Sequence, residues 1–420
     1  MAIVVDTTSS NFGPIHRSDR LLNLDFVRGI ALLGILLVNI GVMFGPLASI
    51  TSPATHHSGE SALDRAATLF VQTFCQAKFI SIFSMLFAYG LLGQFERAEA
   101  AGRSAVGFAF RRLLPLTLFG LLHGVFLWYG DILFVYGLMG GWILLARRVP
   151  ARILLVVAGG VLLFAVFLSV VFAFLAVMAQ PVPLDPGEAV PSDQGIAQML
   201  RSGITPDHPV WIASEIEAYR HGPWIRAQEF RLWEWCFNLL SMVLVVGWLV
   251  LAMFVVGCTL WRVNYFAPEQ AALRQRGAWI CLPLGLSIVV LSLVIHLTAP
   301  PGAWREALGG MVREAGLLFL PLGYLSGLAL LADYFPTWPV RMIASAGKMS
   351  LTVYLSETVI ATGLAYHWGL GLFGTIGPAG QLAIALGIWA TLVVASHLWL
   401  RRFQRGPMEW LWRRLEYGPT

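Results

Sequence analysis

Apolar residues run through this chain in long stretches, separated by short segments that carry most of the charge. None shows the alternating ten-residue pattern of a membrane β-barrel strand. Most have the ~20-residue length with which a helix crosses a bilayer. The pattern predicts about ten spans: Leu24–Pro46, Ala66–Leu92, Leu113–Tyr129, Ile132–Leu145, Ile153–Met178, Cys236–Trp261, Ala278–Leu297, Gly316–Leu331, Leu351–Tyr366 and Gln381–Leu400. The fourth is short, and Gly140 with Gly141 weakens it further. The expected fold is all-α, a polytopic helical membrane protein.

Composition agrees. Of 420 residues, 57% are hydrophobic and only 12% charged, with a mean hydropathy of +0.72. A soluble domain carries roughly 25% charged residues, so this chain could not clothe water-facing surfaces, and a soluble fold is excluded. The net charge of +5 does not imply a nucleic acid partner, because the basic residues are mostly arginines at the ends of apolar runs. That is a topology signal. The loop after the second span carries Arg97, Arg103, Arg111 and Arg112 against Glu96 and Glu99, whereas residues 179–235 hold eight acidic and four basic residues. Lys and Arg bias sets orientation, so both termini are expected in the cytoplasm.

The expected organisation is a cytoplasmic tail (1–23), an N-terminal transmembrane half of about five spans (24–178), an extracytoplasmic loop (179–235), a second half of about five spans (236–400) and a basic cytoplasmic tail (401–420). The large loop begins with a Pro-rich stretch, Pro181–Pro191, that cannot be regular helix. Trp211–Trp235 then brings Trp211, Trp224, Trp233 and Trp235 among alternating charges, which predicts an interfacial helix over the outer face, either an anchor or a lid. The first 20 residues lack an apolar signal-peptide core. The four cysteines are not in CxxC spacing, and there is no HExxH or Walker-type motif, so no metal site is expected.

Ionisable groups inside spans are expensive, which makes them site candidates. In the first span Asp25, Arg28 and Asn39 fall on one helical face, Asn39 ~17 Å beyond Arg28 along the axis. In the third, Arg112 and His123 share a face, and Asp131 follows at the outer end; Gly120 and Gly124 also suit a close-packing seam. A neutral imidazole can take and return a proton near pH 7. Lys78 and Ser81 lie on one face of the second span, and a buried lysine there must pair or lose its charge. Tyr354, Glu357 and Thr358 extend a polar stripe in the ninth, where Glu357 is a plausible partner for Lys78. His56 and His57 lie in the outer loop that follows Asn39.

The blocks LDFVRGIALLGILLVNI (Leu24–Ile40), KFISIFSMLFAYG (Lys78–Gly90), RRLLPLTLFGLLHGVFLWYGDILFVYGLMG (Arg111–Gly140), GKMSLTVYL, GLGLFG and LRRFQRGPMEWLWRRLEYG resemble the YeiB-type bacterial membrane protein family. The resemblance covers nearly the whole chain and implies a multi-pass protein of the bacterial cytoplasmic (inner) membrane. Through the LDxxRG block it extends to transmembrane acyltransferases, among them heparan-alpha-glucosaminide N-acetyltransferase and bacterial sugar O-acyltransferases. In those enzymes acyl-CoA approaches from the cytoplasm and the acyl group reaches an acceptor on the far side. The O-acyltransferases carry a histidine eleven residues after that arginine, where this chain has Asn39.

The resemblance implies an acyltransferase with acyl-CoA (acetyl-CoA) as co-substrate and a small-molecule or glycan acceptor. Arg28, Arg111, Arg112 and Lys78 would hold the cofactor, and His123, Asp131 and Asn39 would carry the chemistry. Asp25, Ser81, Tyr354, Glu357, Thr358, His56 and His57 would form a substrate-binding or structural polar cluster. The alternative is a proton-coupled transporter or flippase for an amphiphilic small molecule. The lipid bilayer is the expected partner, and small-residue seams admit a homodimer.

Overall fold

The structure is a computed structural model that describes residues 21–48, 61–178, 195–298 and 303–417. His56, His57 and the Pro181–Pro191 stretch lie outside the described residues. Every regular element among the described residues is helical: α1 (Leu22–Met43), α2 (Ala62–Phe70), α3 (Lys78–Ala100), α4 (Ala105–Phe126), α5 (Leu133–Met139), α6 (Ala151–Met178), α7 (Ile196–Arg201), α8 (Pro209–His221), α9 (Trp224–Ser241), α10 (Gly247–Arg262), α11 (Ala271–Thr298), α12 (Ala303–Ala315), α13 (Leu320–Tyr334), α14 (Trp338–Lys348), α15 (Ser350–Ala365), α16 (Pro378–Arg402) and α17 (Pro407–Tyr417).

Among the described residues, seven stretches are long and apolar enough to cross a bilayer: Leu22–Met43, Ala62–Ala100, Ala105–Phe126, Ala151–Phe172, Pro268–Thr298, Leu308–Tyr334 and Pro378–Arg402. They coincide with seven of the expected spans. The sixth expected span falls on a longer helix in which a π turn, Met242–Val246, joins α9 to the apolar α10. The ninth is the 16-residue α15. The fourth is broken: seven residues of α5 give way to a 3-10 helix, Gly140–Arg148. Two consecutive glycines weaken an α-helix at that point. Gly140 also leaves no room for a Cβ, which would lie 2.7 Å from a methyl of Leu113.

The outward and inward faces identify the solvent. On α4, Phe110, Leu114, Leu118, Leu122 and Phe126 recur every four residues and are exposed, while Gly120, His123 and Gly124 are buried. A soluble protein would invert this arrangement. Apolar outside and polar inside is what hydrocarbon demands. The protein is a multi-pass membrane protein.

At the centre stands α1, which packs against α3, α13, α14, α15 and α16. Its closest crossing is with α14. A Cβ on Gly347 would sit 1.8 Å from the Asp25 carbonyl oxygen, and one on Gly29 would sit 2.3 Å from that of Ile343. These obstructions are backbone and cannot rotate away.

The stretch Trp211–Trp235 forms two helices rather than one. Gly222, at φ 79°, and Pro223 separate α8 from α9. Trp211 is fully buried against Phe230 and Trp233 instead of reaching for headgroups. The two helices close over the ends of α1 and α15, sharing a core with Leu36, Ile40, Trp128 and Ala361. Apolar surface offered by those helix ends makes packing inward more favourable than lying at an interface.

Overpacking a tight core typically costs about 1–3 kcal/mol. Gly347→Leu is expected to reach at least the upper part of that range, because it pushes two helix backbones apart. Thermal unfolding of the detergent-solubilised protein measures this; an unchanged midpoint would mean that the α1–α14 crossing is looser than described.

Candidate functional site

The interior polar site is built at the end of α4. His123 points inward, and the chain then turns through Leu127–Ile132 and delivers Asp131 beside it. His123 Nδ1 lies 2.9 Å from Asp131 Oδ1, with both side chains 1% exposed. The second carboxylate oxygen, Oδ2, accepts from the Phe134 backbone N–H at 2.7 Å and so fixes the start of α5. With Asp131 as a carboxylate, which only accepts, Nδ1 carries the proton, and in the neutral imidazole Nε2 keeps its lone pair. Nε2 is buried and has no hydrogen-bond partner among the described residues. A base oriented by a carboxylate, with its other nitrogen available, is the arrangement general-base chemistry requires.

The two glycines of the α4 seam make this geometry accessible. A Cβ on Gly120 would lie 2.1 Å from the Phe134 nitrogen and 2.6 Å from Asp131 Oδ2. A Cβ on Gly124 would lie 2.2 Å from the indole nitrogen of Trp235 on α9. The seam is thus both a packing device and a condition of the His123–Asp131 pair.

Tyr354 on α15 completes one wall, its ring centroid 5.3 Å from that of His123. Trp128 meets His123 from the other side at 6.5 Å. One turn beyond Tyr354 stands Glu357, 1% exposed, with Oε1 unpartnered among the described residues. Thr358 is buried too, but its hydroxyl donates back to the Tyr354 carbonyl at 3.4 Å. Ser81 does the same toward Ala77 at 2.6 Å. Asn39 is half-buried in the part of α1 that packs against Trp128, Tyr129 and α15.

Lys78 and Glu357 do not pair. Lys78 is 1% exposed and faces the α11–α13 side, where Arg313 and Cys75 are its electrostatic neighbours. Glu357 faces the His123 side. The cause is α1, which runs between α3 and α15 and contacts both. Helical spacing places each residue on its own face but does not say which helix stands between them.

A second group gathers at the Asp25 end of the bundle. Arg28 Nη1 lies 3.5 Å from Asp25 Oδ1, and its Nη2 donates to the Leu86 carbonyl at 3.3 Å. Arg111 is exposed. Arg112 is committed elsewhere: Nη1 donates to Glu416 Oε2 at 2.8 Å, and its guanidinium lies 4.1 Å over the Trp412 ring. Trp412 returns a hydrogen bond to the Arg112 carbonyl at 2.9 Å, so Arg112 latches α17 to the base of α4. Glu409 of the same helix caps α15, accepting from Leu351 and Thr352 N–H at 2.7 and 3.1 Å.

Glu215, Glu234 and Arg231 are among the twelve charges of residues 179–235. All three are fully buried, between α8, α9 and the Asn39 end of the bundle. The signal was present: Glu215 with Tyr219, and Gln228 with Arg231 and Glu234, recur at helical spacing among aromatics.

Comparison with known proteins now decides the family. Residues 260–419 match the family described as a protein of unknown function, DUF418. YeiB of Escherichia coli (strain K12), described as an uncharacterized protein, is 31% identical over 409 residues, covering 94% of this chain and 96% of its own. The chain belongs to the YeiB family. YxaH of Bacillus subtilis (strain 168), also described as uncharacterized, is 29% identical over 414 residues and covered across 97% of both chains. A 39.9 kDa protein encoded in the amylase 3′ region of Bacillus acidopullulyticus is 27% identical over 407 residues, covering 96% of both. The matched lengths take in both halves of the bundle.

Asp131 serves two donors at once, so Asp131→Ala leaves both the Nδ1–H and the Phe134 N–H unsatisfied. Each such loss costs about 1–3 kcal/mol in a buried setting. Asp131→Asn, which keeps the acceptor oxygen toward Phe134, is expected to lose less. Comparing the two melting midpoints checks this; equal losses would show that the Phe134 contact contributes nothing.

Proposed function

We propose that the protein is an acyltransferase of the bacterial cytoplasmic membrane, moving an acyl group from acyl-CoA to an acceptor hydroxyl or amine at or across the bilayer. The observation that carries this reading is the buried His123–Asp131 pair with Nε2 left open, deep in a bundle whose opening helix bears the DxxRG pattern. The Asp25 end faces the cytoplasm in this reading, because Arg97, Arg103, Arg111, Arg112, Arg147, Arg148 and Arg262 cluster around it. The crossings number about ten when the α5 hairpin, the α9–α10 helix and α15 are added to the seven long apolar stretches.

Arg28 and the exposed Arg111 take the CoA phosphates by charge-assisted hydrogen bonds. Arg112, engaged with Glu416 and Trp412, holds the mouth in shape instead. Eleven residues of helix, ~16 Å, separate Arg112 from His123, a distance for the extended thiol arm of CoA to cover. His123 Nε2 takes the proton of the acceptor hydroxyl as its oxygen attacks the thioester carbonyl. Asp131 stabilises the imidazolium that forms. Asn39 donates to the carbonyl oxygen as negative charge develops there. Collapse expels the thiolate, which recovers the proton from His123, so an acceptor ester and free CoA leave.

General-base catalysis contributes typically 10²–10⁴-fold, so His123→Ala should lower transfer of labelled acetyl groups from acetyl-CoA by roughly that factor. Saturable acetyl-CoA binding should persist, and so should the melting midpoint to within a degree or two. Transfer at the wild-type rate would sink the assignment. One observation favours a second reading: Glu357 is buried within a membrane helix with Oε1 unpartnered among the described residues, as for carboxyls of proton-coupled transporters. Proton-driven uptake into vesicles without thioester turnover would select that reading.

A further inference from the structure

We propose that Glu215 and Glu234 form a proton-binding site, one proton held between two carboxyl groups enclosed by α8, α9 and the Asn39 ends of α1 and α15. The site is separate from His123 and does not depend on the reaction assigned there.

The hydrogen-bond inventory carries the inference. Glu215 Oε1 accepts from the Leu47 backbone N–H at 3.1 Å, and Glu234 Oε2 accepts from the Tyr219 hydroxyl at 2.8 Å. The remaining oxygens, Glu215 Oε2 and Glu234 Oε1, are buried and accept no hydrogen bond of ordinary geometry among the described residues, although the Trp211 indole N–H faces Glu215. Tyr219 stands one turn along α8 from Glu215 and reaches Glu234 at 2.8 Å, which brings the two carboxyl groups together on one buried face. Two carboxylates are acceptors only and repel at close range; a single proton makes one of them a donor and satisfies both orphan oxygens.

The local charge gives the same count. Arg231 is the cation nearest the pair, but it forms no ion pair with either glutamate. Its Nη1 serves the Phe126 carbonyl at 3.1 Å and Gln228 Oε1 at 2.7 Å. Its guanidinium lies 5.1–5.8 Å from the ring centres of Tyr219, Tyr366 and Trp368, and Nε and Nη2 remain without partners among the described residues. Two carboxylates and one guanidinium in a fully buried space carry a net charge of −1. One shared proton brings the space to neutrality, the state that burial favours.

The other groups facing the pair do not supply a charge to replace that proton. Tyr129 from the α4–α5 turn, Tyr366 from the end of α15 and Trp211 from α8 present buried polar atoms without geometric partners. His367, half-buried behind Arg231, donates its backbone N–H to the Tyr219 carbonyl at 2.7 Å. Trp128 packs against both Tyr129 and His123, so this polar interior continues to the candidate catalytic site.

The pair also fastens structure. Through Leu47 it ties α8 to the end of α1, and through Tyr219 it ties α8 to α9. The same helix is held to the turn after α15, where Arg220 donates to the Phe373 carbonyl at 2.8–2.9 Å. Burial raises both carboxyls, Glu215 to about 7, and the charge of Glu215 pushes Glu234 further up. An acid whose folded value is raised stabilises the fold fully below its unfolded value, near 4.5, and that contribution is lost as pH rises through about 7.

The test is an infrared titration of the purified full-length protein in detergent, from about pH 5 to about pH 9, reading the stretching band of protonated carboxyl groups. One band component should vanish as pH rises, and it should be absent throughout from both Glu215→Gln and Glu234→Gln. It should persist in Glu357→Gln. Persistence of that component in either single replacement of the pair would overturn the proposal. Should the replacements fail to fold, the thermal midpoint of the wild type and of Glu357→Gln decides. Both should fall by a few degrees across the same window, and a flat or rising midpoint would equally overturn the shared proton.

Discussion

The His123–Asp131 hydrogen bond sets the terms for the middle of this protein. A membrane interior gives no water to an unsatisfied imidazole or carboxylate, so each must find its partner within the fold. At 2.9 Å they find each other, and the rest of the local chain is arranged to let them. Gly120 keeps the space into which Asp131 reaches, the Leu127–Ile132 turn reverses the chain, and α5 starts from the Phe134 N–H that Asp131 holds. Tyr354 and Trp128 then wall the imidazole. One nitrogen is fixed, and the other is buried without a partner among the described residues.

The same constraint acts on the helices at the far end. Glu215, Glu234 and Arg231 could have remained in water on an extramembrane segment; folding α8 and α9 onto the bundle buried all three. Their hydrogen bonds to Leu47, Tyr219, Phe126 and Gln228 offset part of the cost of burial and fasten α8 and α9 to the bundle. At the opposite end the exchange is simpler. Arg112 over Trp412 and against Glu416, with Glu409 capping α15, closes the bundle with largely buried pairs.

Much of this was legible in the residues. Long apolar runs mark the helices, and a separation of eight positions from His123 to Asp131 across a Gly-containing turn makes a pair that can meet. Tyr354 and Glu357, three positions apart, are both buried on α15. What spacing along a single helix does not encode is the order of helices around it. Lys78 and Glu357 each faced inward, but α1 stands between them. Arg112 looked like a phosphate ligand because Trp412 and Glu416 are 300 and 304 residues away in sequence. Glu215 and Glu234 were hidden for a compositional reason: a stretch of net charge −4 reads as solvated, although tryptophans and tyrosines at helical spacing among those charges marked a buried face. The break at Gly222–Pro223 was written in the two residues that make it.

The account rests on which nitrogen of His123 bears the proton. Nitrogen-15 NMR of the full-length protein labelled at histidine, with His123→Gln to assign the resonance, reads this directly. A protonated Nδ1 coupled with an unprotonated Nε2, converting toward the opposite tautomer in Asp131→Asn, is the predicted result. A proton on Nε2 in the wild type would contradict it, because the nitrogen that faces the acceptor would then be a donor and could not begin the reaction.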